Sequence, residues 1–394
     1  MKEIHIYNEI YHTKYVKIGK VYAERYYKKE RFKRIRMSDT KIDLSKTKCP
    51  VELECDKEGV PYDSAENILK ILRNELTIAG KFGIDELSND IIVTGPLPWA
   101  RTNSKYWRSS DLDALHLYVN KYINVSKSKV KAAFSIVALE NLCNPIRDFL
   151  NSLYNEKIWD GVHRIDTFLH DYAGVESRVD THYDSWIMKY LLLSAIHRVM
   201  TPGCKVDEVV ILHGAQGGGK SHLVMALAMN LEWFGESIFS LHRWEAAYTV
   251  RHSWIIEINS LLYAEKTQHW ENVKDFLTRS YDRSNELPRH CIFVGTTDNS
   301  NFVSDSADDP QFLPIHVEFS KATKNLYDDE SFVIKQLWAE AMTIYVEGGY
   351  EKCGKDAIYL TQGQQKQAKD ERQKFREKYC IKQDNKGTTR IFNI

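Results

Sequence analysis

Asp207–Leu231 reads DEVVILHGAQGGGKSHLVMALAMNL. Val209–Leu212 is a short, unbroken apolar run, the mark of a strand buried on both faces, and Ser221–Leu231 reads as a helix. Between them Gly214–Ser221 satisfies the whole GxxxxGK[ST] pattern. At average glycine content a chance match in a chain of this length is roughly a one-in-a-hundred event, before its strand-to-helix setting is counted. Glycines let the backbone curl until successive N–H groups point at phosphate oxygens, and the following helix adds its positive end. Gly214, Ala215, Gln216, Gly217, Gly218, Gly219, Lys220, Ser221 and His222 are therefore the candidate nucleotide cradle. Lys220 would reach the β- and γ-phosphates of ATP, and Ser221 would offer its hydroxyl to Mg²⁺. A glycine-rich turn with no ligand is the competing reading.

Such a loop needs an acid on a neighbouring strand to hold the metal's water shell and polarise the attacking water. HSWIIEINS (His252–Ser260) supplies one, with Trp254, Ile255, Ile256 and Ile258 making the strand and Glu257 its only carboxylate. A buried lone carboxylate is costly, so Mg²⁺ or a lysine is expected beside it, unless the strand is an edge and Glu257 faces solvent. A third strand, Cys291–Val294, ends in Thr296, Thr297, Asp298 and Asn299. Any of these four could sense the γ-phosphate, and the same four residues are also good turn formers.

Upstream, a helix over about Asp184–Met200 is stopped by Pro202 and Gly203, and Trp159–Gly161 reads as a turn. Apolar spacing predicts a helix over Ser110–Tyr122, capped by Ser110 or Asp111, and another from Ser126 with Val130, Phe134, Val137 and Ala138 inward. The two are either a DNA-reading helix pair or an ordinary helical subdomain. Downstream of Asp328 the chain reads as helical. Thr361 and Gln364 form a capping box for a polar helix ending near Tyr379, solvated or packed on a neighbouring subunit.

Of 394 residues 43% are apolar, which excludes a disordered or fibrous chain. Lys plus Arg and Asp plus Glu both number 54, so any polyanion site must be local. The best local candidate is Val21–Arg36, with seven basic and two acidic residues and Tyr22, Tyr26, Tyr27 and Phe32 between them. Arg25, Lys28, Lys29, Arg31, Lys33 and Arg34 would meet phosphates while the rings stack on bases. A solvated amphipathic helix has the same composition. The longest apolar stretch, Trp186–Met200, is interrupted by Lys189, His197 and Arg198, so no membrane span is expected. The N-terminus lacks the pattern of a secretory signal, which leads to a cytoplasmic expectation. Seven cysteines without a CxxC pair fit reduced thiols better than a zinc site.

In this order the motifs resemble the virulence-associated protein E family, whose ATPase core is similar to the superfamily 3 helicases of viruses, phages and their satellites. The likeness covers about Asn67–Tyr345 and is carried by VTGPLPW (Val93–Trp99), NPIRDFL (Asn144–Leu150), WDGVHRID (Trp159–Asp166), PGCKVDEVVILHGAQGGGKS (Pro202–Ser221), WIIEIN (Trp254–Asn259), KDFLTRSYDR (Lys274–Arg283) and PRHCIFVGTTDN (Pro288–Asn299). The resemblance implies a ring-forming, hexameric nucleoside triphosphatase that works on DNA in replication of a mobile element, often with a primase. The expected fold is α/β: an AAA+-like P-loop core with a parallel sheet over 181–320, an α+β domain over 1–150, a connector over 151–180 and a helical tail over 321–394.

Three departures stand against the family pattern. Asn259 replaces a second acid, Asp298 stands where the sensor is usually Asn with Asn299 displaced by one, and DDPQF (Asp308–Phe312) aligns with a GNRRF segment that supplies an arginine finger. Such a finger is worth about 10³–10⁵ in turnover. Arg279, Arg283 and Arg289 remain as substitutes, with Arg283 in a stretch where the family also carries arginine, although a structural ion pair is an equal reading for it. The sequence thus allows a DNA-dependent ATPase or a hydrolysis-impaired, nucleotide-gated DNA-binding protein.

Overall fold

Val209–His213 is buried at every position, as a strand covered on both faces must be. The computed structural model in which it lies describes residues 51–102, 104–176, 182–235, 243–259, 276–277, 279–280, 287–298, 311–354 and 360–379. In chain order the first elements are α1 (Ala65–Asn74), β1 (Phe82–Asp85), β2 (Ile91–Val93), α2 (Ser109–Val119), α3 (Lys127–Glu140), β3 (Leu142–Cys143), α4 (Pro145–Asn155) and α5 (Phe168–Ala173). The central elements are α6 (Tyr183–Met200), β4 (Val209–His213), α7 (Lys220–Leu227), β5 (Phe234–Gly235), α8 (Arg243–His252), β6 (Ile255–Asn259), β7 (Ile292–Thr297) and β8 (Phe312–His316). The tail holds α9 (Glu330–Glu347) and α10 (Gln362–Tyr379).

Five strands form one all-parallel sheet in the spatial order β5, β6, β7, β4, β8. Period-two alternation divides its side chains between two cores. Val210, Leu212, Ile255, Val294 and Leu313 pack with α6, α7 and α9, whereas Val209, Ile211, Ile256, Phe293 and Phe312 pack with Val250, Leu277 and Phe375. Trp338 of α9 is fully buried, donates to Leu227 O at 2.9 Å and lies with its ring 4.5 Å from that of Trp254. It thereby joins the loop helix α7 to the amino end of β6.

The WDGVHRID segment proves to be a clamp on α9. Gln336 accepts from Asp160 N and donates to Ile158 O, both at 2.9 Å. The buried Glu340 carboxylate accepts from Arg164 N at 2.7 Å and Ile165 N at 3.0 Å. Upstream, β1 pairs antiparallel with β2 and parallel with β3 to make a small sheet carrying α1–α3. Val130, Phe134, Val137 and Ala138 are buried as their spacing predicts.

Several boundaries differ from expectation. The cap of α2 is Arg108, whose N–H donates to Asp111 at 2.9 Å. Asp111 is drawn inward because Arg101 and Trp99 also bind it. The loop helix α7 begins at Lys220 and ends at Leu227, because Met229 turns to φ +61° and Asn230 starts a 3₁₀ turn. β7 runs on through Thr297, so both threonines lie inside the strand. The Thr361–Gln364 capping box is present, with Gln364 N donating to Thr361 Oγ1 at 3.3 Å and Thr361 N to Gln364 Oε1 at 2.9 Å. No helix of the described residues is long and apolar enough to cross a membrane.

Candidate nucleotide site

The glycine-rich loop leaves β4 at the carboxyl edge of the sheet. Gly214 N donates to Thr297 O at 3.1 Å, which ties the loop to the tip of β7. A Cβ on Gly214 would come within 2.4 Å of Val317 O, so the loop passes β8 closely enough to require glycine. Gly219, the cap of α7, has φ +111°, a conformation that side chains resist. Behind it lies the ring of Phe319, a floor for the loop that has no sequence signal.

Lys220 is 9% exposed and donates to Gly214 O at 2.7 Å and Ala215 O at 2.8 Å. Burial pushes its pKa down, and the charges of Asp298 and Glu257 oppose that shift. Ser221 Oγ donates to Glu257 Oε1 at 2.6 Å, and Thr296 Oγ1 donates to the same oxygen at 2.6 Å. Glu257 is 2% exposed, and β6 lies between β5 and β7, so this is no solvent-facing edge glutamate.

The loop lysine, the loop serine and the acid predicted for them thus meet in one place. The chemistry fits a phosphate ester with a hard cation, since hydroxyl and carboxylate oxygens suit Mg²⁺, which takes its remaining ligands from water and phosphate. Of the sensor candidates, Thr296 and Thr297 are buried, and Asp298 is exposed just past the end of β7. Thr296 as a second donor to Glu257 is legible only in the β6–β7 register, which sets Asn259 opposite it.

The virulence-associated protein E-like domain matches residues 150–377, more than half of the chain. The chain belongs to that family. Among solved structures it is similar to the apo C-terminal region (305–718) of NrS-1, at 13% identity and a TM-score of 0.42, with 79% of this chain and 75% of that one covered. It is also similar to the JCV helicase, at 11% identity and a TM-score of 0.28, with 70% and 79% covered. No curated protein matches the chain.

Within this family member the remaining site residues separate. The His222 imidazole pairs with Glu330 at 2.5 Å and stacks on Tyr327 at 4.4 Å, so its side chain turns toward α9. His213, which precedes the loop, faces His316 at 2.9 Å between the two Nδ1 atoms. Burial, with a further contribution from His316, lowers the His213 pKa to about 4. Arg289, a substitute candidate for the arginine finger, is instead 3% exposed at the amino end of β7, with its guanidinium over the rings of Phe276 and Phe293. It lies at the opposite end of the sheet from the loop. Arg283, Asn299, residues 308–310 and the basic residues Arg25, Lys28, Lys29, Arg31, Lys33 and Arg34 lie outside the described residues.

Proposed function

We propose that this chain is a DNA-dependent ATPase with helicase-like action in the replication of a phage-derived mobile element. The observation that carries this reading is the junction of Lys220, Ser221 and Glu257 at the mouth of the loop, with Ser221 and Glu257 2.6 Å apart. In this reading the loop N–H groups and Lys220 bind the phosphates of ATP, and Ser221 and Glu257 hold Mg²⁺, which would neutralise charge on the transferring phosphoryl group. The protein works in the cytoplasm as a homo-oligomer, a hexameric ring, on single- or double-stranded DNA and beside primase or other replication proteins. A neighbour's cation, with Arg283 as the candidate, completes the site. The stretch Tyr22–Arg36 contributes DNA contact.

Steady-state ATP hydrolysis with and without single-stranded DNA is the direct test. Stimulation by DNA and a steep dependence on protein concentration are expected. A protein that stays monomeric by light scattering with ATP analogue and DNA both present contradicts the ring. Deleting Tyr22–Arg36 is expected to weaken DNA binding and flatten its salt dependence.

The second reading, a nucleotide-gated DNA-binding protein with impaired hydrolysis, is favoured by Asn259, which ends β6 with an amide opposite Thr296. Turnover well below ~10 s⁻¹, the enzyme median, with normal nucleotide affinity would select it.

A further inference from the structure

We propose that Asp298, rather than Glu257, accepts the proton of the attacking water, so that the carboxylate absent from position 259 of β6 is supplied from the tip of β7. The assignment rests on the ATPase reading above.

Glu257 is committed elsewhere. Its Oε1 receives both the Ser221 and the Thr296 hydroxyls at 2.6 Å, and the side chain is 2% exposed. An acid bonded to the loop serine is fixed beside the cation's place, with its Oε1 already taken by two hydroxyls. Asn259 ends the same strand, and an amide does not accept a proton in this pH range.

The parallel register sets Asn259 opposite Thr296, and Asp298 comes two residues later, immediately past β7. That tip is anchored to the loop through Gly214 N and Thr297 O at 3.1 Å. Asp298 is exposed, so its carboxylate is open to water, and its charge acts on both Lys220 and His213. Among the described residues Glu257 and Asp298 are the acids whose charges act on Lys220, and of these two Asp298 is the one open to solvent. Asparagine at this place could donate an N–H to phosphate or water, whereas an ionised aspartate can only accept. An aspartate at this place is therefore suited to take the water's proton.

In the step proposed, the water oxygen bonds to the γ-phosphorus as the bond from that phosphorus to the β,γ-bridging oxygen breaks. The electron pair of the broken bond leaves with ADP, the water proton passes to Asp298, and from there it goes to solvent. Glu257 and Thr296 keep the cation's place in order meanwhile.

The test compares the full chain with its Asp298→Asn, Asn259→Asp and doubly substituted forms, using ATP, Mg²⁺ and single-stranded DNA, with nucleotide affinity measured by calorimetry. Asp298→Asn is expected to lower kcat by about 10²-fold or more while affinity moves less than about threefold. Adding Asn259→Asp to that variant is expected to recover at least about tenfold, because the acid returns to the neighbouring strand. Asp298→Asn turning over within about threefold of the parent overturns the assignment. A parent that is inert until Asn259→Asp is introduced also overturns it, while the ATPase reading survives. If parent and Asn259→Asp are both inert, the ATPase reading itself falls, and this assignment with it.

Discussion

The two ends of the parallel sheet bury positive charge in opposite ways. At the carboxyl end Lys220 rests on two loop carbonyls, at 2.7 and 2.8 Å, with the charges of Glu257 and Asp298 acting on it. At the amino end Arg198 is 1% exposed and donates to Arg279 O at 3.2 Å, while its Nε and Nη1 have no acceptor among the described residues. Beside it Arg289 is wedged against Phe276 and Phe293, with centroid distances of 4.6 and 5.6 Å. Both ends desolvate a cation and give it backbone carbonyls, Gly214 O and Ala215 O for Lys220, Arg279 O for Arg198 and Phe276 O for Arg289. They differ in what else surrounds it: acidic charge and the glycine loop at the first, aromatic rings at the second.

The largest expected effect breaks this contrast most directly. Lys220→Ala should cost about 10²–10³ in nucleotide affinity, the worth of one or two charge-assisted hydrogen bonds to phosphate, with little loss of fold. Arg289→Met should do the reverse, lowering the melting temperature with nucleotide affinity nearly unchanged. Equal nucleotide affinity in Lys220→Ala and parent by calorimetry would show the two ends to be alike.

Glu257→Gln should come next. It keeps the shape of the side chain but removes the charge that Ser221 and Thr296 bond to, so the Mg²⁺-dependent part of nucleotide affinity should vanish. A stability loss of about 1–3 kcal/mol should accompany it, as both hydroxyls lose an ionised acceptor. Titration with and without Mg²⁺ separates the two effects. An unchanged Mg²⁺ dependence would move the cation away from this acid.

A smaller effect concerns pH. Among the described residues His213 is buried at one end of the sheet and His290 at the other, and burial lowers both pKa values to about 4 from an ordinary 6.5. The nearby His316 adds to the shift of the first, and Arg147 and Arg198 add to that of the second. Between pH 6.5 and about 4 the unfolded imidazoles bind protons that the folded ones do not, so stability is present above this window and is lost as pH falls through it. Each histidine contributes at most about 1.4 kcal/mol per pH unit. Denaturant midpoints across this window should lose part of their slope in His213→Gln and part in His290→Gln. Added nucleotide should alter only the part that depends on His213. A flat stability curve over the window would remove the effect at both ends.

The smallest effect lies on neither end. Arg73 and Glu140 pair at 2.6 Å on the surface, more than two-fifths exposed on each side. Their rupture by Arg73→Ala should change stability by less than about 1 kcal/mol, which a denaturant series resolves.

Local chemistry made much of this protein legible without a structure. The loop from Gly214 to Ser221 is a short-range object, because its geometry depends on glycine dihedrals and on a strand and helix adjoining it in sequence. The same holds for the strand that carries Glu257, for the inward face of Lys127–Glu140 and for the Thr361–Gln364 cap. Their determinants lie within a few residues of one another.

What tertiary structure alone decided is everything that depends on which strand lies beside which. That Glu257 has two hydroxyl donors, one from the loop and one from β7, follows from a β6–β7 register that no local spacing encodes. Thr-Thr-Asp read as a turn or a sensor, and ladder pairing to both β4 and β6 drew the threonines into the strand and left Asp298 at its tip. Asp111 was drawn inward by Arg101, and Arg289 went to the amino end of the sheet among aromatic rings, because burial in a shared core outweighs the local preference of a short polar or charged segment.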